Sequence, residues 1–192
     1  MVHIDSVRRR ETSRSVTTAG ALALALALAA STAVVAQEGE ATTPVENPNT
    51  GEISDTLIPQ ANAYETYAEH IRVLNDCDWL GLMAQYPEDA EIHLAGGTVV
   101  KGRQAIGDLF AGFVLERPDG NCGMTFTEES RFEVGNTQNV QWVAEADFLA
   151  QPHRGSDAYV TDGQYMVAMV TTFGQPGDSL VYADVEAMES EE

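Results

Sequence analysis

Positive charge is scarce in this 192-residue sequence. Ten Lys and Arg stand against 30 Asp and Glu, for a formal net charge of -20, and Lys101 is the only lysine. A protein that grips nucleic acid neutralises phosphates with clustered cations, so nucleic acid is excluded as a partner. Cysteine is nearly absent as well. Cys77 and Cys122 are the only two, too few for a disulfide scaffold. HExxH and CxxC are missing, and the histidines and carboxylates fall at no metal spacing, so no metal is expected. There is no Gly-rich phosphate loop and no GxSxG elbow, and no cofactor is expected. What the chain does have is apolar residues, 44% of the total, enough to bury one core and to exclude disorder throughout.

The charge is segregated. Arg8, Arg9, Arg10 and Arg14 precede the apolar run from Ala19 to Ala36, broken only by Ser31 and Thr32, with small residues at Val34 and Ala36. A basic start, an apolar middle and a small-residue end make a secretory signal peptide over residues 1–36, so the protein is expected to be secreted or periplasmic. The alternative is an uncleaved anchor at the lower edge of a membrane span. Without residues 1–36 the chain keeps 28 acids and 6 bases, a net of -22, and has no membrane partner. So acidic a surface, with one lysine, suits saline surroundings, where salt screens the repulsion, or an ordinary acidic secreted protein.

Residues 37–58 are rich in Pro, Gly, Thr and Glu and read as a disordered acidic linker. The folded domain is expected over 59–186, and an acidic tail over 187–192. Ala63, Tyr67, His70 and Leu74 fall on one stripe of a helix over 60–75. Asn75-Asp76-Cys77-Asp78 breaks it and offers an N-cap for a second, short helix through Leu82, Met83 and Tyr86. A strand over 90–94 turns at Gly96-Gly97. A third helix over 103–114 carries Ile106, Leu109, Phe110 and Phe113 on one face.

From Gly123 the period becomes 2. Strands are expected from Met124 to Val134, Val140 to Phe148, Tyr165 to Phe173 and Val181 to Val185. Helices first and sheet after give an α+β fold: three N-terminal helices packed on a curved, mostly antiparallel sheet. If exported, Cys77 and Cys122 could form a disulfide closing a loop of about 44 residues. Two buried free thiols are the alternative.

Several of these stretches resemble the nuclear transport factor 2-like superfamily, in its SnoaL-like and ketosteroid-isomerase-like branch. They are Tyr67 to Asp78, with its Asn75-Asp76-Cys77-Asp78 turn, then Tyr86-Pro87-Glu88-Asp89-Ala90, Lys101-Gly102-Arg103-Gln104-Ala105-Ile106, and Val181-Tyr182-Ala183-Asp184. The resemblance spans nearly all of 60–186. It implies a cone-shaped fold enclosing an apolar pocket, and a homodimer as in many relatives.

It also assigns positions. His70 stands where the isomerases carry an oxyanion-donating tyrosine. Leu94 stands where they carry the base aspartate, and the second acid falls near Ala168. Steroid isomerisation is therefore disfavoured. Asp184 resembles a pocket acid of the cyclases and epoxide hydrolases, and with His70 it forms the candidate catalytic pair. Tyr67, Trp79, Leu94, Phe110 and Trp142 are the expected pocket lining. His93 is expected exposed, and His153 in a loop at the pocket rim.

The expected function is binding of a small hydrophobic molecule, with lyase, isomerase or hydrolase chemistry through His70 and Asp184. The alternative is a non-enzymatic dimerising or ligand-binding module.

Overall fold

The computed structural model describes residues 39–173 and 180–183. It opens with two strands, β1 (Glu40–Glu46) and β2 (Ile53–Leu57), paired antiparallel. This corrects the expectation of a disordered linker. Each strand offers the core one apolar side chain, Val45 or Leu57, so no periodic signal marks it. The hairpin is held by polar contacts instead. The Thr42 hydroxyl and the Thr43 amide each donate to Glu88 Oε1 at 2.8 Å. Buried Asn47 folds the turn by accepting from the amides of Asn49 and Thr50.

Helix α1 (Ala63–Asn75) starts where the Asn62 side chain accepts from the Glu65 amide. Its stripe of Ala63, Tyr67, His70 and Leu74 is buried, as the spacing requires. Cys77 leaves the helix in the left-handed region, at φ 56°. Asp78 then caps α2 (Trp79–Met83) by accepting from the Gly81 amide. Strands β3 (Glu91–His93) and β4 (Val99–Lys101) form a hairpin whose turn uses Gly96 and Gly97 at φ 86° and 91°. Helix α3 (Arg103–Phe113) follows.

Strands β5 (Thr125–Val134), β6 (Thr137–Glu145), β7 (His153–Thr161) and β8 (Met166–Thr171) complete a six-stranded sheet in the order β4-β3-β8-β7-β6-β5. Among the described residues only the β3–β8 pair of this sheet is parallel. The architecture is α+β with a curved mixed sheet and few helices, but three helices do not come first. One hairpin precedes them and a second separates α2 from α3.

Two further expectations are corrected. The strand proposed from Val181 is reduced, among the described residues, to one bridge between Tyr182 and Leu149. Strand β7 was not anticipated. Its sequence, His-Arg-Gly-Ser-Asp-Ala-Tyr-Val-Thr, lacks the apolar alternation that marks a half-buried strand. Cys77 and Cys122 are joined in a disulfide, which ties the turn after α1 to the segment before β5. Among the described residues no helix is long and apolar enough to cross a membrane.

Candidate active site

Beneath α1 and α3, on the inner face of the sheet, lies a cavity with a free volume of about 80 Å³. Its wall is almost wholly carbon. Leu74 comes from α1, Leu109, Phe110 and Phe113 from α3, Phe126 from β5, Trp142 from β6 and Met169 from β8, with Leu94 and Phe173 closing it. Among the described residues, the polar groups lining it belong to His70, Asp157, Thr171 and the indole of Trp142.

Strand pairing explains this gathering. Val140 lies opposite Asp157, Trp142 opposite Gly155, and Asp157 opposite Thr171. These residues therefore share one face of the sheet. Gly155 is required there. A Cβ on it would stand 2.3 Å from Cζ2 and 2.5 Å from Cη2 of Trp142. The indole lies against the bare backbone of β7.

His70 is buried on α1 among the rings of Tyr86, Phe110 and Tyr159, with centroids 5.3–6.0 Å away. Its Nδ1 lies 3.5 Å from the Tyr86 hydroxyl. Burial without a countercharge pushes its pKa down to about 3, so the ring is neutral at physiological pH. Burial raises the Tyr86 phenol well above its ordinary value, and the nearby Asp157 carboxyl raises it further.

Asp157 accepts a 2.8 Å hydrogen bond from the Tyr159 hydroxyl through Oδ2. Its Oδ1 is buried, as is Trp142 Nε1, whose N–H is among the donors that act on this carboxyl. Desolvation raises the Asp157 pKa above the usual carboxylate value. The neighbouring Thr171, Tyr159 and Trp142 donors hold part of that rise back. A desolvated carboxyl and a neutral imidazole thus line one apolar cavity, and a carboxyl of raised pKa is a candidate proton-exchanging group.

The structure thus brings together His70, Leu94, Phe110 and Trp142 of the residues expected from sequence. It leaves two out. Tyr67 turns its ring to Tyr159 and donates its hydroxyl to Glu128 Oε2 at 2.9 Å. Trp79 donates from Nε1 to the Gly107 carbonyl at 2.9 Å, knitting α2 to α3. Both are core residues because each polar tip finds its partner away from the cavity. Asp184 lies outside the described residues.

His93 is paired with Glu91 at 3.1 Å on the β3–β4 hairpin. His153 is no loop residue. It begins β7 with its ring 5.7 Å from Trp142 and 5.5 Å from Phe173, behind the cavity wall. The residue that sequence reading missed is Asp157. Its signal was a period-2 series, His153, Gly155, Asp157, Tyr159 and Thr161, of inward polar or small residues where apolar ones are usual. Among the described residues no three His, Cys, Asp or Glu side chains cluster as a metal site would need.

Neither a family sequence model nor a curated protein matches the chain. Solved structures do. RV0760c from Mycobacterium tuberculosis is 19% identical with a TM-score of 0.51, over 65% of this chain and 98% of that one. A computationally designed 17-OHP binder is 19% identical with a TM-score of 0.50, over 65% of this chain and 100% of its own. An NTF2-like protein of unknown function from Cytophaga hutchinsonii is 12% identical with a TM-score of 0.47, over 58% and 89% of the two chains. At these identities the likeness is one of architecture: the chain shares its fold with RV0760c and the designed binder.

Proposed function

We propose that the protein binds a small hydrophobic molecule in the cavity under α1 and α3, and that Asp157 exchanges a proton with it while neutral His70 hydrogen-bonds to it. One observation carries this reading: a carbon-walled cavity that admits, among the described residues, only one imidazole and one carboxyl as ionisable groups. That a computationally designed 17-OHP binder has the same fold supports a ligand-binding use of the scaffold. The chemistry is of the lyase, isomerase or hydrolase type, with Asp157, whose carboxyl burial raises above its usual pKa, as the proton-exchanging group and neutral His70 as a hydrogen-bonding partner for the ligand. The protein works outside the cytoplasm. The expected signal peptide and the Cys77–Cys122 disulfide both suit an oxidising compartment.

The test is ligand capture. The purified protein is screened by native mass spectrometry against small apolar compounds, alongside Phe110→Trp, which fills the cavity. Binding by the wild type and its loss in F110W support the reading. Equal binding by both sinks it.

A second reading concerns the opposite face of the sheet. Phe132 and Val170 there are 65% and 48% exposed, beside Asn139, Ser156 and Ala158 in a shallow groove. This apolar face suits a homodimer, with or without chemistry in the cavity. A sedimentation measurement on wild type and Phe132→Glu decides it: a dimer dissociated by F132E supports the assembly, and a wild-type monomer at high micromolar concentration excludes it.

A further inference from the structure

Asp157 sits among hydrogen-bond donors on the inner face of the sheet. Thr171 stands directly across the β7–β8 ladder from it, and Trp142, opposite Gly155, is its diagonal neighbour on β6. The side chains of Thr171, Tyr159 and Trp142 and the backbone of Thr172 all act on its carboxyl as donors. The Tyr159 hydroxyl does so at 2.8 Å. An indole N–H and a backbone N–H can only donate, so this set favours the ionised carboxylate. What the set lacks is a positive charge. Among the described residues no lysine or arginine lines the cavity, and none pairs with Asp157. His70, the other ionisable group there, is neutral. Buried charges are as a rule paired, and here the donors are supplied while the cation is not.

The wall beside this carboxylate is aromatic. The rings of Phe113, Phe126, Trp142 and Phe173 form one cluster, with neighbouring centroids 5.2–6.1 Å apart. Aromatic rings attract cations as well as hydrocarbon. Resting on the ligand-binding reading above, we propose that the molecule bound in this cavity is a small apolar amine in its ammonium form. Its positive nitrogen lies against the Asp157 carboxylate, and its hydrocarbon part fills the ring-lined space. Folding has already taken the carboxylate out of water, so on binding only the ammonium is newly desolvated. The net charge of -20 also draws cations to the protein. Other ligands fit less well. An anion would be repelled. A neutral hydroxyl would add one more donor to a carboxyl that already has several. A hydrocarbon leaves the charge uncompensated. Size narrows the class further. A free volume of about 80 Å³ has room for roughly five to eight water molecules, so the amine has fewer than about ten non-hydrogen atoms. It is a single ring or a short branched chain, and a fused four-ring skeleton does not fit.

The test compares benzylamine, benzyl alcohol and ethylbenzene at neutral pH, where only the amine is charged and all three are alike in size. Binding to the full chain is followed by calorimetry, in wild type, Asp157→Asn and Phe110→Trp. The expected result is benzylamine about tenfold or more tighter than the other two. D157N keeps the size of the side chain and removes its charge, so it should bind the three within about threefold of one another. F110W, which fills the cavity, should bind none of them. If D157N does not fold, F110W still separates a cation in the cavity from one held by the acidic surface.

Benzyl alcohol or ethylbenzene binding tightest overturns the proposal, as does equal binding of all three. With loss in F110W, either result leaves the apolar-pocket reading standing. A benzylamine preference that survives in D157N belongs to another carboxylate and overturns the proposal too. Binding of none of the three, or binding that F110W leaves intact, overturns both.

Discussion

Trp142 lies directly across the β6–β7 ladder from Gly155, and its indole edge occupies the space where a Cβ would be. The glycine therefore sets the position of a ring that forms the cavity wall. Gly155→Ala must push the indole inward or separate the strands. Overpacking of this kind costs about 1–3 kcal/mol. The denaturant midpoint of G155A should fall accordingly. Gly112→Ala is the control: it is exposed in α3, and a Cβ there meets nothing within 4 Å. It should be neutral or stabilising by about 0.5–1 kcal/mol. Equal midpoints for G155A and wild type would show that the ring can move at no cost.

Arg103 holds the first hairpin to the helices. Its buried guanidinium donates to the carbonyls of Met83 and Tyr86 at the end of α2, and to the Ser54 hydroxyl on β2 at 2.9 Å. Burial lowers its pKa, and Glu88 and Asp55 offset this only in part. Arg103→Met keeps the packing but leaves several buried carbonyls without donors, at about 2–4 kcal/mol. The unfolding midpoint should drop. Amide exchange in residues 40–57 should quicken more than in β5 and β6. A uniform change across the chain would mean that Arg103 does not anchor the hairpin.

The parts of the fold that declared themselves were those whose burial is apolar and periodic. Ala63, Tyr67, His70 and Leu74 marked α1, and the alternation through Val140, Trp142 and Ala144 marked β6. The parts that stayed hidden are held by polar groups. The β1–β2 hairpin rests on Glu88, Asn47 and Arg103, and no periodicity records such bonds. Strand β7 stayed hidden for the same reason, and the candidate site went with it. His70 was legible because it interrupts an apolar stripe. Asp157 was not, because what identifies it is its register against Val140 and Thr171, a property of pairing and not of the strand alone.

The Cys77–Cys122 disulfide spans 45 residues and closes a loop containing α2, the β3–β4 hairpin and α3. In the chain-entropy model such a link contributes about 3–4 kcal/mol, by restricting the unfolded state. The double variant Cys77→Ser, Cys122→Ser should lose about that much in a denaturant titration. Reductant should lower the wild-type midpoint and leave the variant unmoved. A reductant effect of the same size on both would place its action elsewhere.

His70 gives the protein a distinct response to acid. Its folded pKa is about 3, against an ordinary 6.5, because burial disfavours the charged ring. The unfolded chain therefore binds the proton first. Stability from this residue is complete above pH 6.5 and falls as pH drops toward 3, by about 1.4 kcal/mol per unit. Between pH 6.5 and 5 most carboxylates are still ionised, so the histidine contribution is separable there. His70→Phe, which keeps a ring among Tyr86, Phe110 and Tyr159, should flatten that part of the stability profile. An unchanged slope would assign it to another group.

Tyr159 steadies the charge on Asp157. Its hydroxyl donates to Oδ2 at 2.8 Å, opposing the desolvation that raises the carboxyl's pKa. Tyr159→Phe removes that donor and keeps the ring against Tyr67 and His70. The carboxyl should then hold its proton to higher pH, by about half to one pH unit for a single hydrogen bond. Carbon-13 resonances of the Asp157 carboxyl, followed through a titration, measure this directly. The sign also sets the stability. A carboxyl with a raised folded pKa favours folding while protonated, and that contribution is lost as pH rises through the folded value. Asp157→Asn cannot lose a proton, so it should gain stability over wild type as pH rises and match it in acid. A titration lower in Y159F than in wild type would mean that the hydroxyl is held by the protonated carboxyl and does not stabilise the charge.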